Sequence, residues 1–307
     1  MTTPLIIDTD PGIDDAMAIY YALAEPAIEV LALTTVFGNV TGSQAARNAR
    51  ALLALAKSDI EVAAGAERPL ARPPAPHPYH VHGRSGLGDA SLPEPRRALA
   101  PEPAPARLAR LCAERPGAIT IVALGPLTNL ALALDAFPEV ARHAGRVVVM
   151  GGAVRRAGNV TPHAEANIWQ DPHAAARVLA ADWPVTLVGL DVTQEVVLTA
   201  ARLAEVAAHA PRCGGALAMA AKTYFRFHAD ALGLDGCHFH DPTAVMAAVE
   251  MAPLTTEPMA LEVVLEGDEI GRTRARTGPG QIAVCVAAEA DQILNRFTAA
   301  FQSGALP

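Results

Sequence analysis

Short runs of aliphatic and β-branched residues alternate along the chain with longer stretches whose apolar residues recur at helical spacing. The short runs predict strands over 5–7, 28–36, 118–124, 146–150 and 185–190. Helical spacing predicts helices over 13–24, 43–57, 126–136 and 172–181. Because strands that alternate with helices form parallel sheets covered on both faces, the pattern indicates an α/β fold with one open, mostly parallel sheet.

Two segments interrupt this alternation. Residues 67–105 are rich in proline, alanine and arginine and contain three histidines and several glycines, which is typical of a long active-site loop. Residues 259–286 alternate between apolar and polar positions around glycines, which predicts a small C-terminal antiparallel hairpin at the edge of the sheet. No internal repeat and no shift in composition divides the chain, so we expect a single domain over residues 1–307.

The charge and the cysteines argue against several classes of function. The chain carries 24 Lys and Arg against 32 Asp and Glu, a formal net charge of −8, whereas binding to a nucleic-acid backbone needs clustered basic residues. The four cysteines form no C-x-x-C pair and no group with zinc-like spacing. The sequence shows no basic signal-peptide region and no apolar run of membrane-spanning length. We therefore expect a cytoplasmic protein with reduced cysteines and neither a nucleic-acid nor a membrane partner.

The most informative segment is an aspartate-rich stretch where the first strand ends and the first helix begins: Asp8, Asp10, Asp14 and Asp15, around the tight turn at Pro11-Gly12. Carboxylates that share one pocket repel each other, and a hard cation such as Ca²⁺ or Mg²⁺ relieves that repulsion. Solvation and helix N-capping explain one or two of these aspartates, but not two at the end of a buried strand. We interpret Asp10, Asp14 and Asp15 as a metal or substrate site. Asp8 is expected to be structural.

A second group of polar residues opens a helix far downstream. Asp-Pro is a common helix start, so His240-Asp241-Pro242 means little by itself, and a core or capping role is the simpler explanation. In the context of the first segment, however, Asp241 could complete a shell of oxygen ligands. His240 beside it could donate or accept a proton near neutral pH.

Further polar groups follow predicted strands, where α/β proteins bind their ligands. Asn159, Glu165 and Asn167 offer amides and a carboxylate suited to sugar hydroxyls, although an ordinary polar loop is the alternative interpretation. Asn39 follows the second strand. The carbonyl of Leu124, at the end of another strand, is a potential metal ligand.

Taken together, these motifs resemble the inosine-uridine-preferring nucleoside hydrolases. The matching segments occur in the family's order along nearly the whole chain: 8–16, 37–39, 82–88, 124–129, 150–152, 158–162 with Glu165 and Asn167, and 235–237 before 240–242. A single D-x-D motif would be weak evidence, but the complete series is specific. The resemblance implies the nucleoside hydrolase fold, with a Rossmann-like core, in a homodimer or homotetramer. It implies calcium-dependent hydrolysis of ribonucleosides to free base and ribose, through an oxocarbenium-like transition state.

The resemblance also implies roles for individual residues. One Ca²⁺ would be bound by Asp10, Asp15, Asp241 and the carbonyl of Leu124, and Asp10 would also be the general base for the attacking water. The ribose would lie beside Met150, with its hydroxyls bound by polar side chains: Asp14, Asn39, Asn159, Glu165 and Asn167. His240 would donate a proton to the leaving base. His82, in a mobile loop, and His228 would lie on the side of the base.

The chain departs from the family's usual residues at a few positions. Thr is usual in place of Leu124, but the expected contact there is a backbone carbonyl. Many relatives have Tyr where this chain has His228, and a basic or imidazole side chain where it has Leu232. These two positions lie near the nucleobase in the family, so the sequence leaves the base preference open.

Two alternative functions are compatible with parts of the pattern. Phosphatases of the haloacid-dehalogenase type also carry an aspartate pair after their first strand and use Mg²⁺. Here, however, Lys57 and Lys222 are the only lysines, and neither lies in an evident phosphate-binding context. A calcium-dependent nucleoside-binding protein would keep the pocket without turnover, but the presence of both Asp10 and His240 favours an enzyme.

Overall fold

The computed structural model describes residues 2–88, 90–249, 251 and 253–307, in which strands and helices alternate as predicted. The strands are β1 (Thr3–Thr9), β2 (Ile28–Thr35), β3 (Val62–Ala64), β4 (Thr120–Ala123), β5 (Arg146–Met150), β6 (Val185–Val188), β7 (Val197–Leu198), β8 (Cys237–His238), β9 (Leu254–Val263), β10 (Thr273–Arg276) and β11 (Ile282–Ala288). The helices are α1 (Ile13–Ala24), α2 (Gly42–Ala56), α3 (Tyr79–His82), α4 (Ala104–Glu114), α5 (Thr128–Ala136), α6 (Val140–His143), α7 (Ala166–Gln170), α8 (Pro172–Leu179), α9 (Leu190–Thr193), α10 (Ala200–His209), α11 (Cys213–Leu232), α12 (His240–Ala248) and α13 (Ala290–Phe301).

The main sheet joins nine strands of the described residues in the order β10-β9-β11-β6-β5-β4-β1-β2-β3. All neighbours from β11 to β3 are parallel. Strand β1 lies between β4 and β2 and is buried from Leu5 to Thr9. The predicted open, mostly parallel sheet is therefore confirmed, and the carboxyl end of β1 lies well inside the molecule.

The C-terminal segment contains the predicted antiparallel hairpin and also a strand that the pattern did not separate from it. Strands β9 and β10 pair antiparallel at the edge of the sheet. Strand β11 instead lies between β9 and β6 and is parallel to β6. The predicted small antiparallel hairpin is confirmed, and β11 also pairs antiparallel with β9. Only the edge position was wrong for β11, because alternating polarity marks any strand with one covered face and does not reveal its partners.

Two layers of apolar side chains cover the two faces of the sheet. Successive residues of β1 alternate between them, so that Leu5 and Ile7 belong to one layer and Ile6 to the other. Helix α1 is apolar around most of its circumference and is almost completely buried against α11 and α12. This packing fixes the segment that connects β1 to α1. In the described parts of the chain, no helix combines the length and the apolar character needed to cross a membrane.

Buried hydrogen bonds connect the carboxyl ends of the strands. Asp8 accepts hydrogen bonds from the hydroxyl of Thr34 at 2.5 Å and from the side-chain amide of Asn129 at 2.7 Å. Asn129 also donates to the carbonyl of Thr35 and accepts from the N–H of Ala66. Burial raises the pKa of Asp8 to about 7, although both side-chain hydrogen bonds lower it. The network is consistent with the structural role predicted for Asp8.

Replacing Asn129 with alanine tests this network. Loss of its bonds to Asp8, Thr35 and Ala66 leaves buried groups unsatisfied, and we expect the free energy of unfolding to fall by about 2–4 kcal/mol. Chemical denaturation measures this change. The control is Asn295→Ala at an exposed position of α13, which should alter stability by less than about 0.5 kcal/mol. An Asn129→Ala variant as stable as the control would show that the network contributes nothing.

Candidate active site

The connection between β1 and α1 places three aspartates close together in the interior. Asp10 follows β1, and Asp14 and Asp15 lie in the first turn of α1. The carboxylate of Asp15 accepts hydrogen bonds from the N–H of Gly12 at 2.9 Å and of Asp10 at 3.2 Å, and from the hydroxyl of Thr9. Asp15 therefore caps its own helix and at the same time fixes the turn that carries Asp10.

The segment after β2 closes over this turn. The N–H of Asn39 donates to Asp10 Oδ2 at 2.6 Å, and its side-chain amide donates to Asp15 Oδ2 at 3.1 Å. The close approach depends on glycine: a Cβ on Gly38 would lie 1.9 Å from Asp10 Oδ2, and one on Gly12 would lie 2.6 Å from Asn39 Nδ2. The two segments can meet only because neither position carries a side chain.

Asp241, at the start of α12, adds a fourth buried carboxylate. One oxygen from each of Asp14, Asp15 and Asp241 lies within 4.8 Å of the other two, a spacing that one cation can bridge. Burial, and then the charges of Asp14, Asp15 and Asp10, raise the pKa of Asp241 well above its usual range. The structure thus brings the predicted aspartates together, but its closest group contains Asp14 rather than Asp10.

Two of the carboxylates present unpaired oxygens. Asp10 Oδ1 and Asp14 Oδ1 are buried and have no hydrogen-bond partner among the described residues. Burial, and then repulsion from Asp15, raise the pKa of Asp10 well above its usual range, and burial raises the pKa of Asp14 to about 6. A hard cation coordinated by oxygen would stabilise the ionised forms of these groups. The donors present therefore fit such a cation.

The ends of β4 and β5 approach the same carboxylates. A Cβ on Gly125, the residue after Leu124, would lie 2.6 Å from Asp10 Oδ1. The side-chain amide of Asn167 donates to the carbonyls of Leu124 at 2.7 Å and Met150 at 3.1 Å. These contacts connect α7 to the strand ends and place its polar residues beside the aspartates.

Glu165 is the N-cap of α7 and is buried. Its carboxylate accepts hydrogen bonds from the N–H groups of Gly152, Asn167 and Ile168 at 2.9–3.1 Å. Burial raises the pKa of Glu165, and the charge of Asp14 raises it further, while these hydrogen bonds lower it. Backbone N–H groups therefore hold the Glu165 carboxylate in place, and it lies near enough to the aspartates for the charge of Asp14 to raise its pKa.

Asn159 differs from the other residues predicted to bind the ribose, because its side chain is exposed. Its Oδ1 accepts a hydrogen bond from the N–H of Ala166 at 3.0 Å, which places it next to the start of α7. Asn159 lies at the protein surface, whereas Glu165 and Asn167 are buried. The residue types alone did not reveal this difference in depth.

A row of aromatic rings flanks the carboxylates. The rings of His82 and Tyr224 stack with their centroids 5.3 Å apart, and Tyr224 meets His228 edge-on at 4.4 Å. The row continues through His238, which lies 5.2 Å from His228 and 5.6 Å from His240. Burial lowers the pKa of His82 and of His238 to about 4. The row therefore presents neutral imidazoles beside an acidic pocket.

The orientation of His240 is set by a contact with the distant helix α9. His240 Nδ1 lies 2.7 Å from the hydroxyl of Thr193, at the end of α9. Burial, and then the neighbouring imidazole of His238, lower the pKa of His240 well below its usual range. With Nδ1 engaged by Thr193, Nε2 is the nitrogen that remains for a substrate.

Tyr224 and His238 were missed by the sequence analysis. The hydroxyl of Tyr224 donates to Asp14 Oδ2 at 3.2 Å, so this residue connects the aromatic row to the aspartate group. The spacing of four residues between Tyr224 and His228 on one helix face was the signal that could have identified it. His238 lies in a strand of only two residues and gave no comparable signal.

A methyl group at Gly38 should disturb the cation site. Because the added Cβ of Gly38→Ala would overlap Asp10, we expect the calcium concentration that raises the melting temperature to increase by about 10–100-fold. Thermal unfolding at increasing calcium concentrations measures this. The control is Gly215→Ala in α11, where a Cβ would meet no atom within 4 Å and the response to calcium should be unchanged. Equal calcium responses of the two variants would contradict the geometry.

Comparison with known proteins identifies the family. Residues 5–295 match the family model described as inosine-uridine preferring nucleoside hydrolase. Uridine nucleosidase 1 of Arabidopsis thaliana is 40% identical over 270 residues, 88% of this chain and 80% of that protein. The pyrimidine-specific ribonucleoside hydrolase of Salmonella arizonae is 39% identical over 269 residues, 87% of this chain and 86% of that protein. The structure of a purine-preferring ribonucleoside hydrolase from Gardnerella vaginalis superimposes with a TM-score of 0.94 at 33% identity, covering 99% of both chains. The chain belongs to the inosine-uridine preferring nucleoside hydrolases and is itself a nucleoside hydrolase.

Proposed function

We propose that this enzyme hydrolyses the N-glycosidic bond of pyrimidine ribonucleosides, with one Ca²⁺ in the carboxylate group. The observation that carries the proposal is the burial of Asp10, Asp14, Asp15 and Asp241 around unpaired oxygen atoms. Such a cluster suits a cation that binds both protein oxygens and a sugar diol. A ribose bound there would lie at the carboxyl ends of the strands, as is usual for ligands of α/β folds.

The cation would be bound by Asp10, Asp15, Asp241 and the carbonyl of Leu124, and the position of Asp14 in the structure makes it a further candidate. When bound, the ion supplies positive charge that orients the ribose hydroxyls and acidifies a water molecule. The donors are carboxylate and carbonyl oxygens, which suit a hard divalent cation, and the resemblance to the nucleoside hydrolases favours calcium among such cations.

Asp10 is the candidate general base. Its Oδ2 is fixed by the N–H of Asn39, while its buried Oδ1 has no partner among the described residues. One oxygen is therefore held in place and the other remains free to accept a proton from the attacking water.

Residues on the ribose side stabilise positive charge as the glycosidic bond breaks. Both N–H groups of the Asn167 amide are engaged by backbone carbonyls, so its Oδ1 is the atom that remains for a ribose hydroxyl. Glu165, held by three backbone N–H groups, offers a buried carboxylate on the same side. Asp14, Asn39 and Asn159 are the further candidates, with Met150 packing beside the sugar. Oxygen atoms around the ring favour an oxocarbenium-like transition state.

His240 is the candidate proton donor to the departing base. Thr193 orients its imidazole through Nδ1, and the row that contains His82 and His228 forms the wall on the base side. A base that leaves with its bonding electrons becomes negatively charged. Burial keeps the His240 ring neutral, but a neutral ring still carries one N–H. With the Thr193 hydroxyl as the donor to Nδ1, that N–H lies on Nε2, from which the proton can pass to the base.

The preference for pyrimidines is supported by the relatives. The proteins with 40% and 39% identity are described as a uridine nucleosidase and a pyrimidine-specific hydrolase, whereas the purine-preferring structure shares 33% identity. Neither the phosphatase nor the non-catalytic binding protein, the two alternatives compatible with the sequence, gains support from the fold or from these relatives.

A panel of substrates tests the function directly. Purified protein is incubated with uridine, cytidine, inosine, 2′-deoxyuridine and uridine 5′-monophosphate, with and without a calcium chelator, and free base, ribose and phosphate are measured. We expect release of uracil and cytosine that the chelator abolishes, and little release from 2′-deoxyuridine, which lacks one of the two hydroxyls that bind the ion.

Each departure from that result has a distinct meaning. Phosphate release without base release would support a phosphatase, and nucleoside binding without consumption would support a binding protein. Faster cleavage of inosine than of uridine would contradict the pyrimidine preference alone. Undiminished cleavage of 2′-deoxyuridine would contradict the proposed contact between the cation and the diol.

The role of His240 makes a separate prediction. His240→Ala should lower kcat on uridine by about 100-fold or more, because the leaving base then lacks its proton donor. On p-nitrophenyl riboside, whose leaving group needs no proton, the loss should be less than about tenfold. Steady-state kinetics on both substrates measure the two losses. His209→Ala, at an exposed position near the end of α10, should leave both rates unchanged. Equal losses on the two substrates would remove His240 from the role of general acid.

A further inference from the structure

Asn48, in the middle of α2, is a buried amide between two segments of the site that are far apart in sequence. Its Nδ2 donates to the carbonyl of Pro11 at 3.0 Å and to the carbonyl of Ser85 at 2.7 Å. Its Oδ1 accepts a hydrogen bond from the side chain of Gln44 at 2.8 Å. Only 4% of Asn48 is exposed, and both of its polar atoms have partners. Asn48 therefore joins two backbone segments and is itself held in place by its own helix.

The two joined segments carry residues on opposite sides of the proposed substrate. Pro11 belongs to the turn between Asp10 and Asp14, on the side of the cation and the ribose. Ser85 belongs to the loop 83–88 that follows His82, on the side of the base. The catalytic side chains themselves make no hydrogen bond with Asn48, so its influence passes through the backbone of the two segments.

The loop lies directly against the turn. The N–H of Ile13, at the start of α1, donates to His82 Nδ1 at 3.2 Å. Gly86 has a positive φ of 83°, and a Cβ there would lie 3.0 Å from both Asn48 Nδ2 and the carbonyl of Pro11. The contact requires a residue without a side chain at this position. The loop around His82, which the family resemblance implies to be mobile, makes these specific contacts with the turn and with α2.

We propose that Asn48 is a positioning residue for the reaction, which ties the loop carrying His82 to the turn carrying Asp10 and Asp14. This inference builds on the proposed function, because it assumes that the nucleobase lies beside His82. The bond to Ser85 keeps the loop closed before substrate arrives, so the wall on the base side is already formed when the ribose binds. If the loop opened, only the closed fraction of the enzyme would bind the base well, and KM would rise in inverse proportion to that fraction.

The first experiment measures the loop without any substrate. Hydrogen exchange is followed in the wild-type protein, in Asn48→Ala and in the control Asn295→Ala at an exposed position of α13. The N–H of Gly86 donates to the carbonyl of Gly83 and the N–H of Gly88 to the carbonyl of His82, and the exchange of both should accelerate about tenfold or more in Asn48→Ala. Exchange in β1 should accelerate much less than exchange in the loop.

Unchanged exchange in the loop would overturn the proposal. A uniform acceleration that includes β1 would also overturn it, since that result would show a general loss of stability. If Asn48→Ala does not fold, Asn48→Ser, which keeps one donor, takes its place with a smaller expected acceleration in the loop alone. These outcomes do not depend on catalysis, so they decide the role of Asn48 even if no ribonucleoside is cleaved.

The second experiment is a double-mutant cycle on uridine hydrolysis. Asn48→Ala should raise KM by about tenfold with a smaller effect on kcat. In a protein that already carries His82→Ala, Asn48→Ala should raise KM by a much smaller factor, because the ring that the loop positions is gone. The control Asn295→Ala should have no effect in either protein. If the factors by which the two substitutions raise KM simply multiply in the double variant, Asn48 acts independently of the loop and the proposal is overturned.

Discussion

The mutual repulsion of buried carboxylates at the end of β1 is the constraint on which the rest of the site depends. Asp10, Asp14, Asp15 and Asp241 are all almost completely inaccessible, and burial raises the pKa of each. A folded protein can hold such a group only if hydrogen bonds, protonation or a cation compensates for the lost solvation. Backbone N–H groups compensate part of the charge of Asp15, but unpaired oxygens remain on Asp10 and Asp14. The same unpaired oxygens are what a cation would bind.

The surrounding structure keeps these oxygens in place through backbone contacts. Gly38 and Asn39, which follow β2, close over Asp10, and Gly125, which follows β4, approaches its other carboxylate oxygen. Asn129 connects the ends of β1 and β2 through its hydrogen bonds to Asp8 and Thr35. Asn48 connects the turn after β1 to the loop 83–88. The geometry of the carboxylate group therefore depends on buried amides and glycines around it, as well as on the charged residues themselves.

Much of this arrangement could be predicted from the sequence, since α1 begins and ends at the predicted residues and Asp10, Asp14, Asp15 and Asp241 do come together. These predictions succeeded because periodicity and local motif chemistry act over a few residues. Other features depend on contacts between segments that are distant in sequence, and local patterns do not report such contacts. They are the strand partners of β11, the solvent exposure of Asn159, and the hydrogen bonds of Asn48 and Tyr224. The assignment of Asp10 as metal ligand and base remains a prediction.

The most direct test of the account is a calorimetric titration of the metal-stripped protein with calcium chloride, in the wild type and in Asp241→Asn. The account predicts saturable binding of one calcium ion per folded chain, which Asp241→Asn weakens strongly because one of the converging carboxylates becomes neutral. Absence of calcium binding by the folded wild-type protein, or equal binding by both proteins, would contradict the claim that the buried carboxylates form the cation site.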